Sequence, residues 1–101
     1  MFGLGGIFVE LFADVVFRLA PVNRNSVRSM IRQIKGFKLL NGFRGRPKTD
    51  LMEIEKSLVR LSDMVTSHPE IQELDINPLL SHEKGQGATV ADCRLILKAL
   101  P

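Results

Sequence analysis

The run Ile71-Gln-Glu-Leu-Asp-Ile-Asn-Pro-Leu-Leu80 is followed by Lys84-Gly-Gln-Gly87 and then by Ala88-Thr-Val-Ala-Asp-Cys-Arg-Leu-Ile-Leu97. Two such runs around a glycine-punctuated turn predict a β-hairpin. Period-two alternation sets Glu73, Asp75 and Asn77 on one face and Leu74 and Ile76 on the other. If the turn centres between Lys84 and Gly85, Asn77 faces Asp92 and Asp75 faces Arg94. Opposed residues on one face have Cβ atoms ~4.5–5.5 Å apart, so an amide oxygen and a carboxylate can share one cation.

Working back from the hairpin, Asp50 is placed to cap a helix, with Glu53 three residues later. Leu51, Ile54, Leu58, Leu61 and Val65 form its apolar stripe, and His68-Pro69 stops it. The glycine- and proline-punctuated stretch Asn41-Gly-Phe-Arg-Gly-Arg-Pro47 reads as a loop. An earlier helix is expected from a cap at Asn25 or Ser26 to Gly36. Val27, Met30, Ile31 and Ile34 face inward, while Arg24, Arg28 and Arg32 make a separate stripe. From Ile7 to Pro21, two alternating runs around Ala13-Asp14 read as paired strands, Ile7, Val9 and Leu11 on one face, then Val15, Phe17 and Leu19. Both faces are apolar, so that pair is expected to be covered on both sides. The order strand, strand, helix, helix, strand, strand predicts an α+β fold: a largely antiparallel sheet, made of two N-terminal strands and the C-terminal hairpin, covered by two helices.

A chain of 101 residues is one small domain or part of one. With 45% apolar and 25% charged residues it falls in the ordinary globular class. Cys93 is the single cysteine and has no internal partner, so a reducing, cytoplasmic setting is expected. The apolar start lacks a basic head and is interrupted by Glu10 and Asp14, which argues against export and membrane insertion. The net charge of +3 is unevenly spread. Nine bases and no acid lie between Val15 and Thr49, whereas acids outnumber bases from Asp50 onward. A one-signed segment suits a phosphate-bearing or otherwise anionic partner, although solvated basic helix faces are the commoner cause. Nucleic acid is disfavoured, because Trp and Tyr are absent and only Phe37 and Phe43 stand among the bases of the helix and loop.

Three sets of residues are candidates for chemistry. Asn77 and Asp92 offer hard oxygens suited to Mg²⁺, which takes one or two protein ligands beside water and phosphate. The alternative is a surface Asp75–Arg94 ion pair beside a turn entry. Arg44 and Arg46, on the glycine-flanked loop, are candidates for phosphate, or are solvated turn residues. Glu10 is either a site acid or the partner of Arg18, and Asp14 has no evident role.

The strings Gly3-Leu-Gly-Gly-Ile-Phe-Val-Glu10, Phe17-Arg-Leu-Ala-Pro21, Gly42-Phe-Arg-Gly-Arg-Pro47 with Asp50, Glu73-Leu-Asp-Ile-Asn-Pro-Leu79 and Asp92-Cys-Arg94 resemble, in order, the ATP-grasp part of ADP-forming acetate–CoA ligases. The same region is similar to the succinyl-CoA synthetase beta subunit. The resemblance implies that residues 1–101 are the C-terminal portion of an ATP-grasp domain, with Mg²⁺ held by Asn77 and Asp92. It implies a fragment of an acid–CoA ligase that binds ATP or ADP and works with the rest of the ATP-grasp domain and with CoA-binding domains or a CoA-binding subunit. Such enzymes link an acid, CoA and ATP through an acyl phosphate and a phosphohistidine. The adenine-binding lobe and the phosphorylated histidine of the family have no counterpart in this sequence, so the isolated chain is expected to be inactive. The alternative is a non-catalytic regulatory ATP-grasp region of a protein acetyltransferase. Where the family usually reads Asp-Ala-Arg, this chain has Asp92-Cys93-Arg94.

Overall fold

The computed structural model describes residues 1–5 and 13–99. Strand β1 (Phe2–Gly3) pairs antiparallel with β2 (Val15–Val16), Phe2 opposite Val16 and Gly3 opposite Val15. Helix α1 (Arg24–Gln33) follows, then the short helix α2 (Phe37–Leu40), a 3₁₀ turn at Phe43–Gly45 and the long helix α3 (Leu51–Ser67). The chain ends in β3 (Ile71–Ile76), β4 (Leu79–Ser81), β5 (Ala88–Val90) and β6 (Cys93–Leu97). Pairing is antiparallel throughout the described residues, in three two-stranded sheets, β1–β2, β3–β6 and β4–β5.

The α+β class and the antiparallel hairpin stand as expected; the details of the N-terminal half differ. Val15–Val16 takes Phe2–Gly3 as its partner, and the expected partner run, residues 7–11, lies outside the described residues. Pairing stops at Val16, so Phe17 (66% exposed) and Leu19 (93%) face water instead of a covering layer. Helix α1 also starts earlier than expected. Asn23, not Asn25 or Ser26, is the cap, and its Oδ1 accepts the Ser26 N–H at 2.8 Å. The spacing of the apolar residues was the same from either start, which is why it did not fix the cap.

The core lies between α1 and α3. Val27, Met30, Ile31 and Ile34 are buried along α1, against Ile54 of α3, Val16 and Leu40. Each such side chain contributes ~1.5–3 kcal/mol of apolar burial, so these few residues dominate the stability of this end. The two helices are also clamped by charge. Glu55, buried on α3, accepts from Arg28 Nε at 3.0 Å and from Arg24 Nε at 3.4 Å. The other stripe arginine, Arg32, lies 5.6 Å from the centroid of Phe37.

The hairpin is held to the helices differently at its two ends. Between α3 and β3 runs a groove of about 320 Å³, whose walls include Val22, Leu58, Leu61 and Leu74. Leu74, on its wall, is therefore only half-buried. At the turn end, Asp50 closes the gap. No helix among the described residues is long and apolar enough to cross a membrane.

Candidate metal and phosphate site

Asn77 and Asp92 sit at the waist of the hairpin, where β3–β6 gives way to β4–β5. On one side Ile76 is opposite Cys93 and Asp75 opposite Arg94; on the other, Leu79 is opposite Val90. The register is the same on both sides, so the residues between keep it. Asn77 N–H donates to the Asp92 carbonyl at 3.1 Å, and Ala91 N–H donates to the Pro78 carbonyl at 3.0 Å. The structure thus sets Asn77 against Asp92, as the alternation and the glycine turn require. The register shifts only at the far end, between Ile71 and Glu73.

Both side chains are exposed. Asp92 Oδ1 accepts the N–H of Cys93 at 2.9 Å, which fixes the carboxylate and leaves Oδ2 without a hydrogen bond among the described residues. The Asn77 amide likewise makes no side-chain hydrogen bond there. Its Oδ1 looks toward Gly5, where a Cβ would lie 3.8 Å away. Asp75 and Arg94 are opposed across the strands but form no ion pair; among the described residues the salt bridges are Arg24–Glu55 and Arg28–Glu55. No cluster of three or more His, Cys, Asp or Glu side chains is arranged for a metal among the described residues. One carboxylate and one amide oxygen do not make a closed cage. They do suit a hard cation that keeps water and phosphate in its shell.

Arg44 and Arg46 stand elsewhere. Gly42 enters their loop at φ 89°, and a Cβ there would meet the Arg46 carbonyl at 3.0 Å, so the tight turn requires glycine. Arg44 itself has φ 54°, in the left-handed region, with its guanidinium 5.2 Å from the Phe43 ring centroid. Both arginines are exposed, and neither has a carboxylate partner among the described residues. The loop is tied to the hairpin at its turn: Lys84 N–H donates to the Lys48 carbonyl at 2.9 Å, and Thr49 bridges to Glu83. From Glu83 back to Asn77 the strand spans up to about 20 Å. The structure brings Asn77 and Asp92 together and leaves the arginines on a separate loop.

Asp50 holds that arrangement. Its Oδ1 accepts the Glu53 N–H at 3.1 Å, capping α3, while Oδ2 accepts Gly87 N–H at 2.8 Å and Gly85 N–H at 3.1 Å. These backbone donors, Gly87 first and then Glu53, keep the carboxyl below the usual carboxylate range against the opposing effect of burial. The helix-cap role was legible from spacing; the grip on a turn 35 and 37 residues away was not.

Asp14 has a comparable task. Its two oxygens accept Lys35 N–H at 2.6 Å and Gly36 N–H at 2.7 Å, closing the corner after α1. Leu4 packs over Gly36 so closely that a Cβ there would collide with it. Glu10 lies outside the described residues.

Comparison with known proteins adds sequence context to this geometry. A family model described as an ATP-grasp domain matches residues 1–97. The beta subunit of an ADP-forming acetate–CoA ligase II from Pyrococcus furiosus is 44% identical over 99 residues, covering 97% of this chain and 42% of that subunit. An ADP-forming 4-hydroxybutyrate–CoA ligase from Nitrosopumilus maritimus is 45% identical over 95 residues, covering 94% of this chain and 14% of that protein. Among solved structures, the dinucleotide-forming acetyl-coenzyme A synthetase 1 of Ca. Korarchaeum cryptofilum, in complex with coenzyme A and Mg-AMPPCP, superposes with a TM-score of 0.88 at 45% identity. That match covers 95% of this chain and 44% of the other. The chain therefore spans less than half the length of each of these relatives.

Proposed function

Because the chain belongs to the ATP-grasp domain family, we propose that it forms the magnesium–nucleotide face of an ADP-forming acid–CoA ligase, as the C-terminal portion of that enzyme's ATP-grasp domain. The observation that carries the proposal is the exposed pair Asn77 and Asp92, opposed at the hairpin waist, with Asn77 Oδ1 and Asp92 Oδ2 free of hydrogen bonds among the described residues. The relatives are CoA ligases and synthetases. The expected alternative, a regulatory region of a protein acetyltransferase, finds no support in them.

In this reading Asn77 Oδ1 and Asp92 Oδ2 hold Mg²⁺, and the Cys93 N–H keeps the carboxylate aimed. A bound Mg²⁺ supplies charge neutralisation on the nucleotide phosphates. Arg44 and Arg46 offer charge-assisted donors to a phosphate group, and their exposure, with no carboxylate partner among the described residues, supports that role. ATP or ADP is the nucleotide, and the remaining length of the relatives supplies the other lobe of the domain and the CoA-binding parts.

The test is Asp92→Asn in the complete protein. Asn retains an oxygen for the Cys93 N–H but loses the charge, so the Mg²⁺ concentration for half-maximal ligase activity should rise at least about tenfold. The melting temperature should stay nearly unchanged, as for an exposed substitution away from the core. An unchanged Mg²⁺ requirement would refute the assignment.

A further inference from the structure

Four glycines in the described chain, Gly42, Gly45, Gly85 and Gly87, have positive φ and are explained by their backbones. Two others are explained by packing. A Cβ at Gly3 would lie 2.7 Å from the Asp14 carbonyl, and one at Gly36 would strike Leu4. Gly5 has neither reason. Its φ is outside the left-handed region and the residue is exposed. Among the described residues, the one atom within 4 Å of a Cβ built there is Asn77 Oδ1, at an ordinary contact distance of 3.8 Å. Glycine at such a position is a conformational liability unless the vacated space is used.

We propose that Gly5 is a size-determining residue of the nucleotide site: the missing side chain leaves room, on the open side of the Asn77 amide oxygen, for a hydrated divalent cation and the phosphate it carries. The inference rests on the reading of Asn77 as a magnesium ligand. It goes beyond it by giving the first segment of the chain a part in binding. That segment is well placed for the role. Asp14 fixes the corner at Lys35 and Gly36, Leu4 packs on Gly36, and the next residue, Gly5, is thereby held beside the hairpin waist. A side chain at Gly5 would project into the space the cation's water and phosphate shell requires; among the described residues its Cβ would meet only Asn77 Oδ1, at an ordinary contact distance.

This makes the expected signature unusual: binding falls while stability holds. The complete protein is titrated with MgADP, and with ADP in EDTA, by isothermal calorimetry, for the wild type, Gly5→Ala, Gly5→Val and Asn77→Ala. Thermal unfolding is measured alongside. Gly5→Val should weaken MgADP binding about tenfold or more and Gly5→Ala by a smaller factor, with metal-free ADP binding unchanged. The melting temperature of Gly5→Ala should be equal to or above that of the wild type, because the unfolded chain loses freedom. If Gly5→Val melts early, Gly5→Ala decides. Loss of MgADP affinity in Asn77→Ala with full affinity in the Gly5 variants would overturn the role of Gly5 and leave the metal assignment standing. Full affinity in Asn77→Ala would overturn the metal assignment, and the role of Gly5 with it.

Discussion

Asp50 shows how much one side chain can organise. One oxygen caps α3 and the other takes two amides of the hairpin turn. Because its folded carboxyl titrates below the usual range, the stability it contributes is present above a pH of about 3.9. That stability is lost as the pH falls through the lower folded value. Lys56 is the cation beside it, and it adds to the depression. Asp50→Ala should therefore lower the melting temperature by several degrees at neutral pH, and the gap to wild type should close in strong acid, where the wild-type carboxyl is itself neutral. Melts from pH 7 down into strong acid check this; a gap that does not narrow would mean the ionised carboxylate is not the source. Asp14 makes the same kind of long-range backbone contact, to residues 21 and 22 positions away. No spacing rule along the chain signals a contact of that length, which is why no role for Asp14 was legible in the sequence.

At the scale of elements, the hairpin was plainly legible. Its register follows from the glycine turn and the polar–apolar alternation, and it places Asn77 opposite Asp92. The long helix was equally plain, with its cap at Asp50 and its end at His68. The N-terminal strands were not. Alternation identifies a strand but not its partner, and Val15–Val16 pairs with a segment at the chain start that shows no alternating run of its own. The arginine stripe was also ambiguous from sequence. Arg24 and Arg28 turn inward to Glu55, where burial alone would raise the carboxyl, but the two guanidiniums outweigh it and leave it lowered. The charge of the segment is thus partly consumed inside the fold, while Arg44 and Arg46 stay exposed. Glu55→Ala would leave both arginines without their partner. Since their side chains are about half exposed, water compensates part of the loss, and the cost should be about 1–2 kcal/mol. Chemical denaturation of the complete protein measures it; a cost near zero would show that the clamp does not hold α1 to α3. MgADP affinity should be unaffected, because the clamp lies away from the hairpin waist.

The whole molecule is long for its size, 54 × 28 × 22 Å with a radius of gyration of 14.2 Å, against about 13 Å for a typical domain of 100 residues. The helical core lies on one side of the groove and the hairpin on the other, with Asp50 joining them at the turn. Leu80, Val90, Leu95 and Leu97 are each about half exposed along the hairpin. The small core and exposed strands accord with a chain that covers less than half of its relatives. On this account the hairpin is an arm whose waist meets the nucleotide, and its position depends on the Asp50 tie. The most direct test is a crystal structure of the complete protein with Mn²⁺ and a non-hydrolysable ATP analogue, with the metal located by anomalous scattering. The account predicts a peak within about 2.0–2.3 Å of both Asn77 Oδ1 and an Asp92 carboxylate oxygen, with phosphate oxygens completing the shell. A metal bound to the nucleotide but away from both side chains would contradict it.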